Sequence, residues 1–413
     1  MSLKRLLSTF ILLFFSLGVL SCATYQTKVF EARTALRSGQ FNEALTSLKK
    51  LSENPDRDQL VYLMDYATAL QVAGKYKESA EVFGRADKLV DLNDYHSVTN
   101  VVGATLGGEE MIQYKGESYE KFLINTLNAI NYLMMGDYDG GLVEARRIND
   151  KISKMKMDGR DPYEQSPFAR YLAALMWESE RKFDDAYLEY EGSYKIDKTN
   201  PFLPFDLIRS SKQARREDTY NKWKSEFSGV KENPFWYDKG MGELIVIYQQ
   251  GWGPEKHTRP GQYRFPQLSP SFNQTQSASI KISGSEDVNT AKVYDVEHVA
   301  IQTLEKDFGS LMARRVGGIA AKAVVADQIR QKNELLGNLA WIAMNVADRA
   351  DLRQWSTLPA SIQIGRVYLK PGTYKISIQG LDQGRSVTND RMADQEIKIT
   401  AGRKTFVNWR SLH

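Results

Sequence analysis

The sequence predicts an α+β protein in two parts: an all-helical repeat array, then a mostly antiparallel, sandwich-like β domain with an inserted helical hairpin. Three observations carry that expectation. Apolar residues recur at helical spacing over residues 25–216, and a short turn signature recurs between the helices. Residues 243–249 are extended with an almost wholly apolar centre, the pattern of a strand buried on both faces. Beyond them the period is two, then helical over 299–348, then two again from Ser361.

The turn signature reads Gly39-Gln40-Phe41-Asn42-Glu43-Ala44, Gly74-Lys75-Tyr76-Lys77-Glu78-Ser79-Ala80, Gly136-Asp137-Tyr138-Asp139-Gly140-Gly141 and Arg181-Lys182-Phe183-Asp184-Asp185-Ala186. Each copy sets an aromatic ring two positions after the turn residue, then a small residue that lets two helices approach. The first two glycines are 35 residues apart, and the next intervals are 62 and 45, so the later copies carry insertions. Aligned on Gly74, residues Leu63, Ala67, Leu70, Tyr76, Phe83 and Ala86 occupy apolar or small repeat positions, and the segment resembles the tetratricopeptide superfamily, whose period is about 34. Stacked hairpins of that kind form a solenoid whose inner surface takes peptides or proteins; a plain helical bundle gives the same periodicity without a groove.

Within the first insertion, 99–120, four glycines interrupt the helix while Val101, Val102, Met111 and Ile112 are too apolar for a disordered linker. A structured loop, packed at the inner face of the array, is expected there. Its Glu109, Glu110, Glu117 and Glu120 read as solvated loop charges, with Glu120 starting a helix, in preference to paired catalytic carboxylates.

A composition break falls at 232–236, placing the repeat domain at 22–232 and the second domain at 233–413. Strands are expected at 243–249, 278–282, 292–296, 361–369, 373–378, 395–400 and 405–409, and helices at 299–308, 310–332 and 334–348. Lys370-Pro371-Gly372 makes a tight reversal. The hairpin it joins resembles the last hairpin of many extracellular β-sandwich modules. The helical pair is expected to pack on the sheet, because Lys322, Asp327 and Arg330 make membrane insertion costly.

Residues 1–21 have the form of a secretory signal: basic Lys4 and Arg5, an apolar stretch too short to span a bilayer, and the small Ser21 before the single cysteine, Cys22. The run Val19-Leu20-Ser21-Cys22-Ala23 resembles a bacterial lipobox, although Leu20 is bulkier than its usual occupant. That resemblance implies lipidation of Cys22, cleavage before it, and, with Ala23 following, sorting to the periplasmic face of the outer membrane. Several acyl chains hold stably where one alone is reversible. Together with Gly116-Glu117-Ser118-Tyr119-Glu120-Lys121, Glu144-Ala145-Arg146-Arg147 and the run from Ala350 through Trp355 to Pro359, the lipobox resembles an uncharacterised family of exported bacterial lipoproteins with tetratricopeptide-like repeats. The resemblance implies a class and no activity.

Net charge is +4, falling to +2 when Lys4 and Arg5 leave, and no concentrated basic face announces a nucleic-acid partner. Four histidines, at 96, 257, 298 and 413, show no metal-ligand spacing, and neither a nucleophile elbow nor a phosphate loop occurs, so no cofactor is expected. The one mixed titratable cluster, Glu255, Lys256, His257 and Arg259, follows the buried strand in what reads as a loop; Asp351, Arg353 and Trp355 form a second group. Were the two to converge, His257 would sit as a base beside Glu255, Asp351 and Arg353, and the chain would be an envelope hydrolase. The simpler expectation is that Asp351 and Arg353 brace a corner while Trp355 fills the core. The function expected from these readings is a non-catalytic, lipid-anchored scaffold holding a protein or peptide partner on its repeats.

Overall fold

The computed structural model describes residues 25–95, 112–157, 166–346 and 349–413. The expected leader, Cys22, Glu109 and Glu110 lie outside them.

Among the described residues, ten helices of the array pair into five hairpins: α1 (Tyr25–Arg37) with α2 (Phe41–Glu53), α3 (Gln59–Val72) with α4 (Tyr76–Tyr95), α5 (Ser118–Met134) with α6 (Tyr138–Met157), α7 (Pro167–Ser179) with α8 (Phe183–Ile196), and α9 (Leu203–Gln213) with α10 (Glu217–Glu226). One device closes all five. At the second turn Gly74 N–H donates to Gln71 O at 3.0 Å and Lys75 N–H to Leu70 O at 2.9 Å, and the same crossed pair recurs after Leu36, Leu133, Glu178 and Lys212. The motif needs a left-handed residue. Gly39, Gly74 and Gly136 supply it with φ of 74°, 73° and 73°, but the last two turns use Arg181 and Arg215, at 61° and 58°. The fifth turn lies 34 residues after Arg181 and has neither glycine nor a following phenylalanine, so the signature that marks the other four does not reveal it.

The aromatic ring of the signature begins the second helix of its hairpin, and the small residue three positions on is buried at a close helix crossing. Ala44, Ser79 and Ala186 have no exposed surface, and a Cβ on Gly141 would stand 2.5 Å from Met176 Sδ.

The second domain is a sandwich. One sheet has the order β10 (Lys404–Arg410), β1 (Gly242–Gln250), β7 (Ser361–Leu369), β6 (Ala291–Asp295); the other has β5 (Val288–Asn289), β4 (Ser277–Ile282), β8 (Gly372–Leu381), β9 (Val387–Ile399). All pairings in both sheets are antiparallel except β1 with β10, which is parallel. The doubly buried strand is where the sequence places it. Leu244, Val246 and Tyr248 point into the sandwich against Ile280, Ile378 and Ile399, while Ile245 and Ile247 join Ile362 and Ile364 in a core shared with the helices.

Three expectations are corrected. The run after the Gly251–Pro254 turn is not a loop: β2 (Glu255–Arg259) and β3 (Gln262–Ser269) form a separate two-stranded ribbon, which Pro266 and weak alternation conceal in the sequence. Residues 299–308 and 310–332 are one helix, α11 (Val296–Lys332), because Gly309 has open space around it and a lone exposed glycine costs only about 1 kcal/mol. Its partner α12 (Glu334–Val346) lies chiefly along α11 and not on the sheet.

Candidate functional site

The inner face of the array is occupied by the chain itself. In each hairpin the first helix turns toward the sandwich, and α1, α3, α5, α7 and α9 all contribute side chains to that junction. Its centre is the irregular segment 351–359 between α12 and β7, which lies across α3 and α5 with a turn at Ser356-Thr357.

Arg353 opens the segment. Its guanidinium takes Asp351 at 2.7 Å, Asp58 at 3.0 Å and the Ile112 carbonyl at 2.8 Å. Trp355 follows, its ring 5.7 Å from that of Phe83, its Nε1–H donating to Thr68 Oγ1 at 2.9 Å and its backbone N–H to Glu120 Oε1 at 2.7 Å. Thr357 N–H and Oγ1 donate to Asp65 Oδ1 at 3.0 and 2.9 Å, and Ser356 Oγ adds 3.1 Å bonds to both oxygens of the same carboxylate. Tyr25 OH donates to Asp65 as well. A regular strand would have spent these N–H groups on a sheet; here carboxylates on helices take them.

Both carboxylates are 0% exposed, and among the described residues neither is in an ion pair. Burial lifts Asp65 to about 6, against the downward pull of its bonds from Tyr25, Thr357 and Ser356. Burial, then the charge of Glu117, lifts Glu120 to about 7, although the N–H groups of Trp355 and Glu117 and the Tyr114 hydroxyl favour its ionised form. Glu120 starts α5 as the sequence implies, closing a capping box with Glu117. It is not the solvated charge expected there, because the segment covers it.

A different chemistry seals the other end of the junction. Glu178, Asp206 and Arg209 from the helices meet Glu243, Arg366 and Lys404 from β1, β7 and β10 in a closed ring of alternating charge. Around it run Arg209–Glu178 at 2.8 Å, Arg209–Asp206 at 2.6 Å, Arg366–Asp206 at 2.8 Å, Arg366–Glu243 at 2.6 Å and Lys404–Glu178 at 3.2 Å, with Lys404–Glu243 completing the circuit. Burial alone would raise Glu178 and Glu243. The guanidinium and ammonium groups outweigh it, holding Glu243 at about 2 and Glu178 lower still. Beside the ring opens a cavity of about 480 Å³ with Phe202, Phe205, Phe235 and Trp236 on its apolar side.

The residues singled out in the sequence divide. Asp351 and Arg353 are paired as the brace reading expects, Trp355 fills the core, and the ground they brace against is the helical domain. Lys256 of β2 joins them, donating to Glu117 at 2.5 Å and to the Arg353 carbonyl at 3.1 Å. Glu255 and His257 flank Lys256 and therefore point to the opposite side of the ribbon. Glu255 is exposed and pairs with Arg33 at 3.0 Å, while the His257 ring bonds Thr258 O at 2.9 Å and Ser269 Oγ at 2.6 Å. The structure therefore does not bring Glu255, His257, Asp351 and Arg353 into one site. Among the described residues no three His, Cys, Asp or Glu side chains gather as metal ligands. Glu120 has local partners in Glu117 and Tyr114, and Arg209 has one in Asp206, but nothing local shows that Asp65, Glu120 or the ring is covered, since the groups that cover them lie tens to hundreds of positions away.

No protein-family model matches the sequence, and no curated protein matches it. Solved structures similar to about half of the chain include MamA residues 41 to the end from Desulfovibrio magneticus RS-1, at 16% identity over 48% of this chain and 88% of that one, with a TM-score of 0.32. A Podosopora anserina kinesin light chain with nearly identical TPR-like repeats is similar at 12% identity over 49% and 92%, with a TM-score of 0.33. At those scores the likeness carries no inference about what this chain binds.

Proposed function

We propose that the chain is a lipid-anchored scaffold of the bacterial cell envelope, tethered through Cys22, whose repeat face is built to hold an extended protein segment and which in its resting form holds its own. One observation supports the binding mode: backbone N–H groups, hydroxyls and an indole of 351–359 are received by Asp65, Thr68 and Glu120 on successive first helices, as a groove receives a peptide. A partner carrying a tryptophan followed by small hydroxylated residues fits the same positions. The anchor rests on the lipobox resemblance and would keep the array near the membrane.

Two measurements test this. Radiolabelled palmitate is expected in the wild-type chain and absent from Cys22→Ala; equal labelling of both removes the anchor. For the groove, the full chain carrying Ser356→Ala and Thr357→Ala, or the harsher Trp355→Ala, is titrated with a fluorescent peptide of sequence 350–359. The variants should bind with micromolar affinity, about −8 kcal/mol, and the wild type, already filled, far more weakly. Peptide binding to no variant that remains folded by circular dichroism would defeat the groove reading.

A further inference from the structure

The hairpin of α11 and α12 is built inside out. Lys322 is 2% exposed and Arg315 7%, both on the α11 face that also buries Leu311 and Ala326. The large apolar side chains stand outside: Val316, Val324, Leu335, Leu336, Leu339 and Ile342 are 53–68% exposed. On α12, Leu335, Leu339 and Ile342 follow at intervals of four and three, which keeps them in one stripe. A water-facing hairpin would have the opposite arrangement, and an outward apolar stripe of this kind marks a docking surface.

Charge and position select the occupant. Residues 310–333 hold five basic side chains and one acidic one; Arg315 and Lys322 turn inward, while Arg314, Arg330 and Lys332 are exposed. An apolar stripe flanked by cations is the composition of a helix that lies in the headgroup layer of an anionic membrane. No described helix is long and apolar enough to cross a bilayer. The hairpin also grows from the side of the molecule where α1 begins. Gln26 donates to the Lys256 carbonyl on β2 at 2.7 Å, and the ribbon is tied to α11 by Arg259–Glu305 at 2.5 Å and by the Phe265 and Phe308 rings, 5.3 Å apart. Cys22 precedes Tyr25 by three residues, a reach of at most about 11 Å.

We propose that the outer face of the α11–α12 hairpin docks on an anionic lipid surface, so that the molecule meets the membrane at a second place besides the proposed Cys22 anchor. Only the positional argument leans on that anchor, and the test omits it. The mature chain with Cys22→Ala has no other thiol, so Leu339→Cys in that background accepts a single environment-sensitive fluorophore, with Val387→Cys as the control. On vesicles of phosphatidylethanolamine and phosphatidylglycerol the label at 339 should shift to the blue and brighten about threefold, while that at 387 stays unchanged. Combining Leu335→Asp, Leu339→Asp and Ile342→Asp should lower the vesicle-bound fraction about tenfold in flotation, with unaltered circular dichroism. An unresponsive label at 339 overturns the proposal. So does a chain whose sedimentation mass is twice the monomer without lipid and falls to the monomer in the triple variant, since a second copy would then cover the face. Absence of palmitate labelling on the wild type would remove the anchor and leave this result standing.

Discussion

Asp65 and Glu120 at one end of the junction, and Glu178, Asp206 and Glu243 at the other, are buried on the same helical face against the same domain, and they are held by opposite means. The first pair is met by hydroxyl and N–H dipoles of the 351–359 segment, so burial prevails and both carboxyls are lifted toward neutrality. The second group is met by three cations, so for Glu178 and Glu243 the charged form prevails. Dipoles neutralise a charge only in part; an opposite ion in low dielectric does so fully, but then neither partner can leave alone. One end of the junction is therefore releasable, and the other is a lock.

The largest expected effect breaks the lock. Arg366→Ala leaves three buried acids facing two cations, Arg209 and Lys404, and should lower unfolding free energy by about 3–5 kcal/mol in urea titration. Asp65→Asn strands no ion and keeps an acceptor for Thr357 and Ser356, so at pH 8 it should cost less than about 1.5 kcal/mol. Similar losses for the two variants would erase the distinction.

Acidity sharpens the comparison next. A carboxyl whose folded value exceeds its unfolded value binds more protons in the folded state, so stability falls as pH rises between the two values. Asp65 spans 3.8 to about 6 and Glu120 spans 4.5 to about 7, so moving from pH 8 to pH 5 should raise stability, by up to about 3 kcal/mol for each group once titrated fully. Glu243, held at about 2, behaves in reverse. Its contribution is complete above 4.5 and is lost as pH falls toward 2. The urea midpoint should thus pass through a maximum between pH 4 and 5, and Asp65→Asn combined with Glu120→Gln should flatten its alkaline side. A midpoint that rises steadily from pH 4 to 8 would contradict the assignment.

The smallest effect concerns the turns and leaves the junction alone. Arg181→Gly relieves a left-handed non-glycine residue and should add about 0.5–1 kcal/mol, read as a rise in thermal midpoint. Its pH profile should match the wild type.

These contrasts show where the sequence is legible. Four of the five hairpin turns, the doubly buried β1 and the strand reversal at Pro371-Gly372 are set by neighbours in sequence and read directly. Asp351, Arg353 and Trp355 stand out as a bracing group, yet nothing local tells which surface they brace. The ring draws on positions 178, 206, 209, 243, 366 and 404, whose only common property is where the fold puts them. The β2–β3 ribbon escapes for a smaller reason: Pro266 occupies a ribbon edge, where a missing N–H is tolerated.

The parallel pairing of β10 with β1 imposes an order of events. Glu243 through Gln249 align with Lys404 through Arg410, so the first strand of the sandwich waits for the last, and Lys404 completes the ring from that same strand. During synthesis the ten helices are finished more than 170 residues before their covering domain can close. Throughout that interval Asp65, Thr68 and Glu120 face water with nothing to receive. The junction face of the nascent array is then uncovered, and closure of the lock sets the moment at which it is sealed.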